Sequence, residues 1–247
     1  MLLDNEKVTL FLGNFGSGKT EVSVNFALHV ADGRLREGIT IVDLDLVNPY
    51  FRSREPRDVL ARHGIRVVIP ETQYLYADLP ILIPEVRSLL FASTGYVILD
   101  VGGDDVGARV LGSLHDALGS SAYRALMVIN ASRPFTGSVE GIVKITREIE
   151  EAGRLTVGGL VSNTHLMAET TVETILRGYE LAGEVQEKTG LPLAFVCAPA
   201  AIADEVRAKV SGDVLPISRY LAPVWDGARG EAGARPPGAK GKDMFKS

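Results

Sequence analysis

Gly13-Asn14-Phe15-Gly16-Ser17-Gly18-Lys19-Thr20 is the stretch from which the rest of the chain takes its meaning. It follows the apolar run Val8–Leu12 and precedes Glu21-Val22-Ser23-Val24-Asn25-Phe26-Ala27-Leu28, which has the composition of a helix. A strand, a turn of the pattern G-x-x-x-x-G-K-[ST] and a helix, in that order, make a phosphate-binding loop. Glycines let successive backbone N–H groups turn inward round a polyphosphate with no Cβ in the way. The helix N-terminus adds partial positive charge. In this pattern Lys19 reaches the β- and γ-phosphates and the Thr20 hydroxyl binds Mg2+, so residues 13–21, ending at Glu21, are expected to hold nucleotide.

Outward from the loop, short β-branched runs alternate with helical stretches. That alternation predicts an α/β fold of three layers, with a mainly parallel sheet of about seven strands and helices on both faces. Strands are expected at 8–12, 38–43, 65–69, 96–100, 125–130, 155–162 and 193–197. Helices are expected at 19–31, 56–63, 84–93, 106–118, 136–152, 170–189 and 201–209. Pro84 suits a helix start, Thr136 an N-cap and Gly153 a helix end. Residues 70–83 carry two prolines, Pro70 and Pro80, with Tyr74, Leu75 and Tyr76, the composition of an irregular excursion at the sheet edge. No linker interrupts residues 1–225, which form one nucleotide-binding domain, whereas Gly, Ala, Pro, Lys and Arg dominate 226–247, read as a disordered tail.

Composition narrows the function. The net charge of −5 gives no general attraction to nucleic acid or acidic lipid, so neither is expected as a partner. Cys197 is the single cysteine, which leaves no intrachain disulfide and too few thiolates for an iron–sulfur site. The N-terminal residues do not read as a signal peptide and no apolar run approaches the ~20 residues of a membrane span, so a cytoplasmic home is expected. The four histidines show no zinc-binding spacing.

In a parallel sheet, ligands bind beyond the carboxyl ends of the strands. The second strand runs into Asp43-Leu44-Asp45, two carboxylates on one side of a strand end. Beside a phosphate loop, one of the two can hold a Mg2+-bound water and the other can orient the attacking water or accept its proton. The fourth strand ends Tyr96-Val97-Ile98-Leu99-Asp100, the form of a Walker B element, which places Asp100 in the Mg2+ shell. Asp100-Val101-Gly102-Gly103 also spells D-x-x-G, where the Gly103 N–H senses a γ-phosphate. Asp104 and Asp105 suit a cap on the next helix.

The fifth and sixth strands end in Asn130 and Asn163, whose amides match the donor–acceptor edge of adenine. Asn163 is the preferred base reader, with Pro199 lining the base from the other side. The run Asn163-Thr164-His165-Leu166 lacks the acidic residue of N-K-x-D, which favours ATP over GTP. Arg52, Arg54 and Arg57 follow Asp45, placed either to meet a transferring phosphate or to pair with Glu55 and Asp58.

With these motifs in this order, residues 6–210 resemble the MinD/ParA/Mrp/CobQ-type P-loop ATPases, within the wider class that holds nitrogenase iron protein and the signal-recognition GTPases. The segment from Val42 to Glu55 is similar to that of a bacterial branch known by nucleotide binding alone. The resemblance implies Mg-ATP as ligand, with Thr20, Asp43 and Asp100 about the metal, Lys19 and Asp45 in catalysis and Asn163 on adenine. It also implies ATP-sandwiched homodimers, but Asn14 stands where much of the family has a lysine that crosses the dimer, which leaves the homodimer open. The metal-carrier branch's paired cysteines are absent.

Three functions fit these residues: an ATPase switch acting on a protein client, a kinase or amide ligase of the dethiobiotin or cobyrinic acid synthetase type, and a sensor that binds ATP without hydrolysing it. The second needs an acceptor pocket beside the γ-phosphate, to which Tyr74, Tyr76 and Asp78 were natural contributors.

Overall fold

The computed structural model describes residues 6–33, 38–45, 54–69, 82–92, 95–103, 105–119 and 121–220. The expectations for Arg52, Tyr74, Tyr76, Asp78, Asp104 and the tail at 226–247 lie outside the described residues.

Eight strands form one sheet in the order β3-β2-β4-β1-β5-β6-β7-β8. They are β1 (Val8–Leu12), β2 (Ile39–Leu44), β3 (Ile65–Val68), β4 (Tyr96–Val101), β5 (Tyr123–Ile129), β6 (Gly159–Ser162), β7 (Leu193–Pro199) and β8 (Val214–Ile217). Every pairing is parallel. The central strands are buried on both faces, which is why they read as unbroken apolar runs and not as alternating ones. The chain builds outward from β1 in both directions. The loops leaving β4, β1 and β5 therefore diverge at the strands' carboxyl ends and open a crevice there.

One face of the sheet presents Leu10, Leu12, Leu44, Leu99 and Val101 to α3 (Leu82–Ala92), α4 (Asp105–Ser113), α5 (His115–Gly119) and α6 (Val139–Gly153). The other presents Phe11, Ile41 and Ile98 to α1 (Lys19–Gly33) and α2 (Arg54–Arg62). Phe11, Phe26 and Phe195 meet there, with Phe26 stacked on Phe195 at 5.9 Å between centroids. Val172 and Ile175 of α7 (Val172–Thr189) pack with Val206 of α8 (Ala203–Arg207) on Val196 and Val214. Asp43, Asp100 and α1 thus share a face, and the polar site is assembled on the α1 side.

Several elements differ from the sequence expectations. β8 went unread because Pro216 sits inside it; at a sheet edge a residue with no N–H is tolerated. The helix expected at 106–118 is two, α4 and α5, separated at Leu114. Thr136 is not the cap of α6. It lies in a 3-10 turn and its Oγ1 donates to the Asn130 carbonyl at 2.7 Å, while Ser138 caps the helix by accepting from Gly141 N. Gly153 ends α6 as expected, and Arg154 follows in the left-handed region at φ 51°. The strand expected at 155–162 is paired only from Gly159. Pro56 and Pro84 lie within the first turns of α2 and α3, where a missing N–H costs nothing.

Candidate functional site

The loop between β1 and α1 turns on glycines with positive φ, Gly13 at 141°, Gly16 at 76° and Gly18 at 83°. A hydrogen bond from Ser17 N to the Asn14 carbonyl, 3.2 Å, closes its turn. Asn14 Oδ1 accepts from Phe15 N at 2.8 Å, so the residue at the lysine position is tied into its own loop. Lys19 is buried, and its Nζ donates to the Asn14 carbonyl at 3.1 Å, which curls the ammonium over the loop. Phe15, at the loop's tip, is 66% exposed.

The carboxylates converge on the start of α1. Asp43 and Asp100 are register partners on β2 and β4 and both are buried. Asp43 Oδ1 accepts from Asp45 N at 2.9 Å, an Asx turn that holds Asp45 at the strand end. Asp100 accepts hydrogen bonds from Ser23 Oγ, at 3.3 Å, and from Thr20. Burial pushes its carboxyl up to about 6; the Thr20 hydrogen bond and the Lys19 charge pull down, and the like charge of Asp45 pushes up. Asp100 Oδ2 is buried and makes no hydrogen bond among the described residues.

An orphaned carboxylate oxygen beside a threonine hydroxyl is a hard-oxygen donor set that fits Mg2+. Among the described residues no three His, Cys, Asp or Glu side chains cluster to cage a metal by themselves. An ion at Thr20 and Asp100 would thus complete its shell from phosphate and water, the usual habit of Mg2+.

Gly103 lies directly against the loop. A Cβ built on it would stand 2.7 Å from Phe15 N, 2.8 Å from Lys19 Nζ and 2.9 Å from the Asn14 carbonyl carbon. Only a glycine allows the segment after β4 to lie so close to the lysine. On the opposite face of the sheet a cavity of about 500 Å3 reaches the backs of these segments, lined by Leu12, Asn14, Gly103, Leu111, Phe135 and Ile149.

Asn163 is brought to the loop itself. Its Nδ2 donates to the Ser17 carbonyl at 2.8 Å, so one amide proton is already engaged. Asn130 is fully buried, with Oδ1 accepting from Ser132 N at 2.9 Å and from His165 N at 3.4 Å and its carbonyl accepting from Arg133 N at 3.0 Å, so it ties its own turn to the loop after β6. Glu21 lies in the first turn of α1, and its Oε1 accepts from Tyr220 N, facing the segment after β8. Pro199 ends β7 at the same sheet edge. Arg54 opens α2, and Arg57 is exposed one turn further on.

Two residues escaped the sequence analysis. Arg133 Nε donates to the Gly16 carbonyl at 3.0 Å from the loop after β5. His165 lies beside Gly18. Burial lowers its imidazole to about 4, helped by the charges of Arg133 and Arg219, so it is neutral at pH 7. No motif links positions 16 and 133; only the adjacency of β1 and β5 does.

No protein-family model matches the chain, and no curated protein matches it. Solved structures do. The cell division protein FtsY from Thermotoga maritima matches with a TM-score of 0.55 and 17% identity, over 79% of this chain and 62% of that one. FtsY from Mycoplasma mycoides matches with a TM-score of 0.51 and 16% identity, over 77% of this chain and 60% of that one. FlhF in complex with GTP and Mg2+ matches with a TM-score of 0.49 and 15% identity, over 77% of this chain and 64% of that one. The chain therefore spans about three fifths of the length of the FtsY chains it matches. The likeness is one of fold: the three-layer α/β fold of the P-loop NTPases.

Proposed function

We propose that this chain is a Mg2+-dependent ATP-binding protein of the MinD/ParA/Mrp/CobQ type, an ATPase that acts in the cytoplasm as a nucleotide switch on a protein client. The contact of Gly103 with Phe15 and Lys19 carries the proposal. Lys19 Nζ rests on the Asn14 carbonyl and gains phosphate oxygens by releasing it. A γ-phosphate at Lys19 also meets Gly103, so the segment after β4 registers its arrival and its loss. Thr20, Asp100 and Asp43 would hold the Mg2+, which would supply positive charge to the phosphates. Asp45, kept at the strand end by the Asx turn, positions the attacking water. ATP is favoured over GTP because no acidic residue follows Asn163 in the N-K-x-D position.

The kinase or ligase reading stands second. In its favour is the cavity against Asn14 and Gly103, of a size that takes a small acceptor. It ranks lower because most of the cavity's wall is apolar and Lys19 is not among its lining residues.

Binding and turnover of ATP and GTP, with and without Mg2+, test the proposal. ATP binds, Lys19→Ala abolishes binding, and Asp45→Ala keeps binding but loses turnover. Preference for GTP would overturn the base assignment. Stoichiometric phosphorylation of a small acid would move the ligase reading to first place. Tight binding with no turnover under any condition would leave a sensor. Binding of neither nucleotide at millimolar concentration would sink the proposal.

A further inference from the structure

We propose that Arg133 is a positioning residue of the nucleotide site, a strut that holds the Gly16 carbonyl turned away from the phosphates and so sets the shape of the loop. The inference rests on the nucleotide-binding reading above. It goes beyond it by giving the loop after β5 a task in binding.

The strut stands on a rigid base. Arg133 N donates to the Asn130 carbonyl at 3.0 Å, Thr136 Oγ1 donates to the same carbonyl, and Thr136 N donates to the Arg133 carbonyl at 3.1 Å. Ala131 N donates to Thr164 Oγ1 at 2.9 Å, which ties this turn to the one after β6. Arg177 of α7 donates to Ser132 Oγ at 3.1 Å. A turn braced on so many sides fixes the backbone of Arg133, and with it the place its side chain reaches. That place is the phosphate loop: Nε lies 3.0 Å from the Gly16 oxygen, and a Cβ on Gly16 would meet that Nε at 3.2 Å.

The consequence follows from peptide geometry. In a trans peptide the carbonyl of one residue and the N–H of the next point in opposite directions. Holding the Gly16 carbonyl outward turns Ser17 N inward, where it donates to the Asn14 carbonyl and closes the turn. Asn163 does the same one peptide later, holding the Ser17 carbonyl and turning Gly18 N inward. The two side chains fix consecutive peptides of a loop whose glycines have little conformational preference of their own. A hydrogen bond from a charged donor is stronger than a neutral one, which suits Arg133 to the outer and more exposed of the two positions.

Glutamine separates the bond from the charge, since its Nε2 stands as many bonds from the backbone as arginine Nε. The full chain and its Arg133→Met, Arg133→Gln and Lys19→Ala variants are titrated with Mg-ATP by calorimetry and melted without nucleotide. Arg133→Met weakens ATP binding about tenfold, the effect of one charged hydrogen bond, and melts within about 4 °C of wild type, the shift that loss of one hydrogen bond allows. Arg133→Gln binds within about threefold of wild type. Wild-type affinity in Arg133→Met overturns the inference alone. So does Arg133→Gln no better than Met, which would assign the effect to charge, and so does melting of Arg133→Met below that range, which would make the role general to the fold. Failure of the wild-type chain to bind ATP overturns this inference together with the nucleotide-binding reading.

Discussion

Asn163 at the end of β6 donates to the carbonyl of Ser17, 146 positions earlier, at 2.8 Å, and the bond is buried. An amide expected to read a base is also part of the wall of the phosphate loop. Removing it leaves a buried carbonyl unpaired, at about 1–3 kcal/mol. Asn163→Ala is therefore expected to weaken ATP and GTP alike, by tenfold or more, in a fluorescent-nucleotide displacement assay. A loss confined to ATP would assign the amide to adenine instead.

Gly103 permits no side chain. With Phe15 N, Lys19 Nζ and the Asn14 carbonyl carbon all inside 3 Å of a built Cβ, Gly103→Ala must push the segment after β4 off the loop. Overpacking of this kind costs about 1–3 kcal/mol. The variant is expected to lose turnover by tenfold or more while still binding nucleoside diphosphate, which lacks the γ-phosphate proposed to meet Gly103. Unchanged kcat would remove Gly103 from the switch.

Gly178 in α7 reverses an ordinary rule. Gly→Ala inside a helix gains about 1 kcal/mol. Here the new Cβ would stand 2.1 Å from Thr164 Oγ1, which accepts from Ala131 N. Gly178→Ala is expected to destabilise the chain by about 2 kcal/mol or more in urea unfolding, and a gain in stability would show that Thr164 shifts freely.

Asp100 gives a pH signature without nucleotide. Burial holds its folded carboxyl at about 6, above the ordinary 3.8. The folded state therefore keeps the proton to higher pH than the unfolded one. The stability this provides is complete below pH 3.8 and is lost as pH rises through about 6. Asp100→Asn, neutral throughout, is expected to be more stable than wild type in EDTA at pH 7.5, by up to about 2 kcal/mol. The difference should shrink as pH falls through 6 and vanish near 4. With Mg2+ and nucleotide the proposed role of Asp100 at the ion predicts that the order reverses. A pH-independent difference in the metal-free melts would contradict the burial account.

The layered fold, the phosphate loop and the carboxylates at the ends of β2 and β4 were legible in the chain, because each is written in contiguous residues. A parallel strand buried on both faces must be apolar along its length, a glycine-rich turn must be local, and Asp43 and Asp45 alternate on one strand. β8 was illegible because Pro216 breaks the apolar run and only its edge position makes it a strand. The cap of α6 was misplaced by two residues because Thr136 and Ser138 are both good caps, and the Asn130 carbonyl claims the first. Arg133, His165 and the Gly178–Thr164 contact carried no sequence signal. Each is a pair between elements far apart in the chain.

The sequence by itself determined the class of fold and the chemistry offered at the strand ends, since hydrophobic period and loop pattern depend on neighbours along the chain. The tertiary structure alone decided how residues outside that loop meet it, with Asn163 and Arg133 holding its carbonyls and Gly103 packed on Phe15 and Lys19. The order of β4, β1, β5 and β6 places residues 103, 133 and 163 round residues 13–20, and strand order is set by how buried faces pack across the whole sheet.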